Sequence, residues 1–208
     1  TVNLANGGVF TLNGDQTLAN LNSTGLLNGA GTLSAAAYNL SNGAVTSANA
    51  HLGDGTLNVG PGNVILNGDT GADTINLNSG SLVTNGDVTN ASGIFTLSPN
   101  TIWFVNGASQ YNTLRGEGTV NPGGANGDIF VNRGNVSPGI GDDLGVIEID
   151  GDYTERGTLQ SQLDPSIVGG LYLGSDLLRG SGALVLTDDG ILSPSPINGL
   201  TSEGVLIG

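Results

Sequence analysis

Asn-Gly pairs punctuate the chain at short, irregular intervals and leave room only for short strands between them. Nine such pairs occur, and both residues tolerate the positive φ angles that tight turns require. The segments between them, such as VFTL, TLNV, NVIL and TINL, are about four residues long and mostly alternate apolar and polar residues. This alternation is the period of a strand with one buried face, and no window has the spacing of an amphipathic helix. The sequence therefore predicts an all-β protein.

Two all-β architectures fit this pattern: an antiparallel sandwich, and a parallel β-helix in which coils of chain stack on one another. Aromatic residues, which usually fill the space between the sheets of a sandwich, make up only 4% of the chain, whereas glycine occupies 37 positions. Small and aliphatic side chains suit a narrow, stacked core. We therefore predict a parallel β-helix (β-solenoid) of roughly ten coils, with hydrogen-bonded asparagine ladders at the turns.

A change in composition near residue 134 divides the chain into two parts. Of the 24 asparagines, 23 precede position 136, and 11 of the 18 acidic residues lie from Asp142 onward. No Pro- or Ser-rich linker separates the parts. We interpret residues 1–133 and residues 134–208 as two subtypes of repeat within one continuous solenoid.

The charge of the chain excludes several classes of partner. The net charge is −14, with four arginines and no lysine, so nucleic acid and anionic membrane surfaces would be repelled. No apolar run approaches the roughly 18 residues that a membrane-spanning helix needs, which argues against membrane insertion. The absence of cysteine excludes disulfides and thiolate metal sites. The absence of cysteine is natural for a bacterial surface protein that must cross an oxidising compartment unfolded.

An ordered series of motifs begins at residue 136. The loop VSPG at 136–139 leads to GVIEIDGDY at 145–153, then to GTL at 157–159 and to SDLLRGSG at 175–182. This succession resembles the passenger-domain signature of bacterial autotransporters, the type V secretion proteins. The upstream segments LSNGAV at 40–45 and LNSGSL at 77–82 resemble autotransporter-associated β-strand repeats.

The resemblance implies a right-handed parallel β-helix that is exported across the outer membrane and is displayed at, or released from, a Gram-negative cell surface. It also implies a translocator barrel in the remainder of the polypeptide. We expect a non-enzymatic passenger fragment that acts in adhesion or as a structural stalk, with a glycan or protein of a host or neighbouring cell as its partner. The alternatives are a carbohydrate-active β-helix enzyme and a passive spacer for an active module outside this fragment.

The residues of the signature predict a structural role by themselves. Alternation places Ile147 and Ile149 inward and Glu148 outward, while Tyr153 is expected to cover the edge of a coil with its hydroxyl in water. Pro138 is expected at a corner, because proline has a fixed φ and cannot donate to a β-ladder.

Few residues suggest chemistry. The segment NGDTGADTI at 67–75 resembles a single calcium-binding RTX nonapeptide, so Asp69 and Asp73 are weak calcium candidates in a chain otherwise expected to need no cofactor. His51 is predicted to be an exposed turn residue. The pairs Asp142-Asp143 and Asp188-Asp189 are predicted to be solvated loops, because adjacent strand residues point to opposite faces. We predict no catalytic residue.

The aromatic residues Trp103, Phe104 and Tyr111 are the candidate ligand contacts. They form the one aromatic concentration in the sequence. On a strand, one of Trp103 and Phe104 must face inward and the other outward, where its ring can stack on a sugar or a protein partner.

Overall fold

The structure is a computed structural model that describes residues 1–123, 129–141, 143–163, 176–187 and 190–196. The motif residue Ser175 and the acidic residues Asp142, Asp188 and Asp189 lie outside the described residues, together with the predictions made for them. The described residues form strands and no helix. The strands are β1 (Val2–Leu4), β2 (Val9–Asn13), β3 (Gln16–Ser23), β4 (Leu26–Leu40), β5 (Val45–Thr46), β6 (Ala50–Leu52), β7 (Thr56–Val59), β8 (Asn63–Leu66), β9 (Thr74–Leu77), β10 (Ser81–Thr84), β11 (Ile94–Leu97), β12 (Ile102–Val105), β13 (Thr113–Gly116), β14 (Gly118–Pro122), β15 (Ile129–Asn132), β16 (Asn135–Pro138), β17 (Val146–Ile149), β18 (Asp152–Glu155), β19 (Thr158–Leu163), β20 (Leu177–Gly180), β21 (Leu184–Leu186) and β22 (Ile191–Pro196).

Three ladders of parallel strands run along the molecule, and each strand pairs with a strand one coil later in the chain. Sheet A stacks β1, β3, β4, β7, β9, β11, β13, β16, β19 and β22. Sheet B stacks β2, β4, β5, β8, β10, β12, β14, β17 and β20. Sheet C stacks β15, β18 and β21. The long strand β4 belongs to both sheet A and sheet B.

This architecture is a parallel β-solenoid of about eight turns, which confirms the predicted all-β class and the stacked coils. The number of turns is slightly lower than the roughly ten predicted. The reason is that the coils lengthen along the chain. Side chains that are hydrogen-bonded to each other in adjacent coils are 17 to 21 residues apart up to Asn106 but 23 to 31 residues apart from Asn121 onward.

The longer coils contain a third strand. In the first coils the third side includes β6, which pairs with residues 31–33 of β4; from Leu52 to Ser109 it is one isolated bridge per coil, through Thr70 and Val88. From Ile129 this side widens into the strands of sheet C, which are three or four residues long. The wider side begins close to the change in composition at residue 134, and sheet A continues across that point through the pairing of β13 with β16.

The core is a set of columns in which each inward residue lies on its equivalent in the next coil. One column in sheet A is fully buried and consists of Leu21, Tyr38, Leu57, Ile75, Phe95, Leu114 and Val136. In the signature strand β17, Ile147 and Ile149 are buried and Glu148 is exposed, as predicted. Strict alternation of this kind fixes the register, because a slip of one residue would expose the whole column.

Asparagine ladders join the coils on the outside. Five asparagines on the outer face of sheet A are linked by side-chain hydrogen bonds of 2.7 to 3.0 Å: Asn3, Asn22, Asn39, Asn58 and Asn76. A second ladder of Asn67, Asn85 and Asn106 directly follows the strands of sheet B. Ladders were predicted at turns, and the longer one lies within strands instead, because the parallel register aligns equivalent residues there as well.

Aromatic rings fill the solenoid where the third side widens. Trp103 stacks on Phe95 with ring centroids 4.1 Å apart and meets Tyr111 and Phe130 edge to face at 6.3 and 6.0 Å. Phe130 in turn stacks against Tyr153 at 6.2 Å. We call these five residues the aromatic cluster. They fill the core where the third side of the solenoid changes from isolated bridges to the strands of sheet C.

A buried polar network closes one end of the aromatic cluster. Glu155 is 1% exposed and accepts hydrogen bonds from Asn132 Nδ2 at 2.7 Å, from the Gly157 backbone N–H at 2.7 Å and from the Tyr153 hydroxyl. The hydroxyl of Tyr111 donates to Asn132 Oδ1 at 3.2 Å. The prediction that the Tyr153 hydroxyl is in water is therefore wrong. Tyr153 is 1% exposed, because its hydroxyl supplies one of the donors that a buried carboxylate requires.

Tyrosine ionisation is expected to destabilise the fold at alkaline pH. Burial raises the pKa of Tyr38 to about 12, and it raises the pKa of Tyr111 and of Tyr153 well above the ordinary value of 10.0. The unfolded chain releases these protons near its ordinary pKa of 10.0, whereas the folded chain retains them. Stability is therefore fully present below pH 10 and falls as the pH rises toward 12.

Ultraviolet absorbance measures tyrosine ionisation directly. The measurement uses a Tyr172→Phe variant, so that the signal comes only from the three tyrosines that the structure describes. We expect the remaining tyrosines to titrate well above pH 10, with unfolding, while the urea-denatured variant titrates near pH 10. Titration near pH 10 with the fold intact would contradict the burial of these hydroxyls.

The remaining signature residues turn the chain and link its motifs. Gly139 and Gly141 have φ angles of +86° and +66°, which a side chain rarely adopts, so the chain bends sharply there. Pro138 is the last residue of β16, at the start of this bend. Asp176, from the SDLL motif, accepts the Gly145 N–H at 2.9 Å and the Gln162 N–H at 2.8 Å. The motifs thus fasten successive coils to one another.

Candidate functional site: the outer face of sheet B

The three aromatic candidates divide between the core and the surface. Trp103 is 0% exposed and Tyr111 is 7% exposed, so both rings belong to the aromatic cluster. Phe104 is partly exposed on the opposite face of the same strand, β12. The structure therefore leaves Phe104 as the member of this set that a partner can reach.

Phe104 ends a line of outward apolar side chains. Parallel register places one such residue from each of six successive coils in a single row on the outer face of sheet B. We call this row the apolar stripe: Val9, Leu26, Val45, Ile65, Val83 and Phe104. At about 4.8 Å per coil its five steps extend roughly 24 Å. Val9 is 55% exposed, and Ile102, which lies beside Phe104 on the same strand, is 37% exposed.

An uncharged polar edge runs along the half of the apolar stripe nearest Phe104. The second asparagine ladder follows β8, β10 and β12, with bonds of 2.7 Å from Asn85 Nδ2 to Asn67 Oδ1 and 2.6 Å from Asn106 Nδ2 to Asn85 Oδ1. A primary amide has two N–H donors and two acceptor lone pairs. Asn85 uses one of each within the ladder, so one N–H and one lone pair remain for a partner.

The strands that carry the apolar stripe contain no charged residue. Within residues 1–123, all of which the structure describes, no strand of sheet B contains an acidic or basic residue. Charged side chains reach the face beyond Phe104, with Glu117 just before β14 and with β17 and β20, where Arg179 Nη1 lies 3.3 Å from Glu148 Oε1. The strands of sheet A are also uncharged through β11, so what distinguishes the sheet B face is its continuous row of apolar side chains.

A recess of about 410 Å³ lies at the end of the stripe nearest Phe104. Ile102, Thr119 and Val146 contribute to its lining, together with the carboxylate of Glu117 and the Glu148–Arg179 pair. Apolar and charged side chains both line the recess, so it can accept a side chain or sugar ring that carries hydroxyl or amino groups.

His51 and Asp69 belong to a column that links coils on the third side. His51 lies in strand β6, so its prediction as a turn residue is wrong; its side chain is 36% exposed. Its Nδ1 accepts the Asp69 N–H at 3.0 Å, and Asp69 Oδ1 accepts the Asp87 N–H at 2.9 Å. His51 therefore takes the acceptor role that Asp69 performs one coil later.

Asp73 engages other donors. Its Oδ2 accepts the Gly55 N–H at 3.1 Å and its Oδ1 accepts Asn90 Nδ2 at 3.0 Å. Within the described part of the chain, no three His, Asp or Glu side chains are grouped to share a metal ion. The calcium interpretation of Asp69 and Asp73 stays a prediction. Asp143 is exposed, with its backbone in an antiparallel bridge to Ile140.

Comparison with known proteins gives no match. No family model matches the chain, and neither the curated proteins nor the solved structures include one with significant similarity. The resemblance to autotransporter passenger domains thus rests on the motifs themselves and stays a prediction. Among the described residues, no helix has the length and apolar character needed to cross a membrane.

Proposed function

We propose that this chain is a non-enzymatic adhesion module of a bacterial surface protein, of the autotransporter passenger type, and that it binds through the outer face of sheet B. The observation that carries the proposal is the apolar stripe, which is continuous over six coils and uncharged in a chain of net charge −14.

The geometry favours many weak contacts over one deep site. Each of the six coils presents one apolar side chain, and beside three of them an asparagine of the ladder adds a free donor and a free acceptor. Full burial of an aliphatic side chain contributes about 1.5–3 kcal/mol, and partial burial of an already half-covered one contributes less. Affinity must therefore be summed along the rod and across many copies on a surface.

Binding of the purified chain to immobilised glycans and extracellular-matrix proteins tests this function. We expect saturable binding that requires the fold, so that chain denatured in urea and presented identically gives no signal. A blank result across both sets would favour the passive spacer, whose activity lies elsewhere in the polypeptide. Release of a cleaved sugar from a bound glycan would instead identify a carbohydrate-active enzyme.

A further inference from the structure

The Asn-Gly pairs that form turns are also the places where backbone chemistry is least hindered. An asparagine side chain can bring its Cγ atom to the nitrogen of the next residue, and a following glycine has no Cβ to obstruct the approach. Attack by that nitrogen closes a five-membered ring. The structure describes seven of the nine pairs, and they differ in how firmly the fold holds the two reacting groups.

The three pairs of the second asparagine ladder are held at both groups. The side-chain amides of Asn67, Asn85 and Asn106 are bonded to one another at 2.6 to 2.7 Å. The nitrogen of each following glycine also donates a hydrogen bond to the preceding coil, at 3.2 to 3.4 Å. Reaction at these pairs therefore requires that the coils first separate locally.

Three further pairs are held through the backbone. The pair at 28–29 lies inside β4, where it pairs with β2. The Gly14 N–H donates to the Ala30 carbonyl at 2.8 Å, and the Gly43 N–H donates to the Asn63 carbonyl, also at 2.8 Å. A nitrogen bonded in this way gives up its proton to solvent only after the bond to the neighbouring coil opens.

The pair Asn6-Gly7 has neither kind of protection. It forms the middle of the turn between β1 and β2, which is closed by a 2.9 Å hydrogen bond from the Gly8 N–H to the Ala5 carbonyl. Gly7 has a φ of +78°, the value of the third residue of a type II turn. Both residues are exposed, and among the described residues neither the Gly7 N–H nor the Asn6 side chain has a hydrogen-bond partner. Both reacting groups are therefore in water.

We propose that Asn6-Gly7 is a modification site at which the folded chain converts asparagine to aspartate and isoaspartate, with water as the co-reactant. The Gly7 nitrogen loses its proton to solvent and bonds to Asn6 Cγ, while the Cγ–Nδ2 bond breaks and Nδ2 leaves as ammonia. Water then opens the resulting succinimide. Breaking the new Cγ–N bond gives aspartate, and breaking the original backbone C–N bond gives isoaspartate. The proposal stands apart from adhesion and does not depend on it.

Isoaspartate alters the turn more than aspartate does. Both products add one negative charge, but isoaspartate also routes the main chain through Cβ and Cγ, which adds one atom to the backbone. The hydrogen bond from Gly8 to Ala5 closes around two ordinary residues, so the extra atom disrupts it. Because β2 begins at Val9, the first member of the apolar stripe, this end of the stripe loosens as the protein ages.

Ageing of the folded chain tests the proposal, with Asn13-Gly14 as the matched control. Both asparagines are exposed and both precede a glycine of positive φ, whereas only the Gly14 N–H is bonded to another coil. The chain is incubated in mildly alkaline buffer below pH 10, then cleaved after Asp15, and fragment 1–15 is sequenced by mass spectrometry. We expect Asn6 to react at least about tenfold faster than Asn13, the ratio given by an opening free energy of about 1.4 kcal/mol. In urea the two rates should converge.

Variants identify the site and its effect on the turn. The isoaspartate content of fragment 1–15, measured by enzymatic methylation, should vanish in Asn6→Gln, whose longer side chain cannot close the five-membered ring, and persist in Asn13→Gln. Hydrogen exchange at Gly8 should be faster in aged wild type than in fresh Asn6→Asp, which has the charge without the extra backbone atom. Equal reaction at Asn6 and Asn13 in the folded chain, or reaction of Asn6 only in urea, would overturn the proposal.

Discussion

Replacing Glu155 with leucine is expected to lower the free energy of unfolding by about 3–5 kcal/mol. The substitution removes the acceptor of three donors: one N–H of Asn132 Nδ2, whose other N–H donates to the Gly134 carbonyl, the partly buried Gly157 N–H and the Tyr153 hydroxyl. Each unpaired buried donor costs about 1–3 kcal/mol, and leucine cannot replace any of the lost bonds. The loss should appear as a lower urea midpoint.

Glu155→Gln is the matched control. Its carbonyl oxygen can still accept from Asn132 and Gly157, and the Tyr153 hydroxyl can rotate to accept from the new amide. We expect the free energy of unfolding to fall by about 1–2 kcal/mol. Hydrogen exchange should show the extra opening in the leucine variant concentrated in β15 and β18, whose side chains form the network. Equal losses in the two variants would show that the network does not hold the wide coils together.

Trp103→Ala is the second substitution with a large expected effect. Trp103 is 0% exposed, stacks on Phe95 at 4.1 Å and donates from Nε1 to Thr84 Oγ1 at 3.0 Å. Truncation removes the centre of the aromatic cluster and leaves a cavity that the stacked coils cannot close. We expect the free energy of unfolding, measured with urea, to fall by about 3–5 kcal/mol.

Phe104→Ala is the natural comparison, because it lies on the next position of the same strand and faces outward. We expect a stability loss under about 1 kcal/mol, together with weaker binding to the partner. Comparing Trp103→Ala with Phe104→Ala separates the core role from the binding role, which the sequence alone could not assign to one residue or the other. A binding defect in a folded Trp103 variant that matches the defect in Phe104→Ala would contradict the assignment of Phe104 to the surface.

Local patterns were sufficient to predict the fold class. Short alternating segments between Asn-Gly turns predict stacked strands, and the alternation in GVIEIDGDY places Ile147 and Ile149 correctly. The number of turns was overestimated because the sequence does not show where a coil gains a third strand. Tyr153 was misplaced although a signal existed: Glu155 lies two residues later on the same strand and faces the same way, inward.

The apolar stripe could not be found from spacing alone. Its members lie 17 to 21 residues apart, and each looks in isolation like an ordinary outward strand residue. Coil lengths vary enough that only the three-dimensional register aligns them. The sequence did identify Phe104 as one of two candidates, because alternation forces either it or its neighbour Trp103 outward.

The central claim is that adhesion occurs through the outer face of sheet B, and one comparison tests it most directly. Binding to immobilised glycans and matrix proteins is measured for wild type, for Ile65→Thr/Val83→Thr/Phe104→Thr and for Ile94→Thr, each shown to be folded. Ile94→Thr makes the same kind of change on the outer face of sheet A. We predict a saturable signal for wild type that Ile94→Thr retains and that the triple variant loses. A wild-type signal that the triple variant retains in full would contradict the claim.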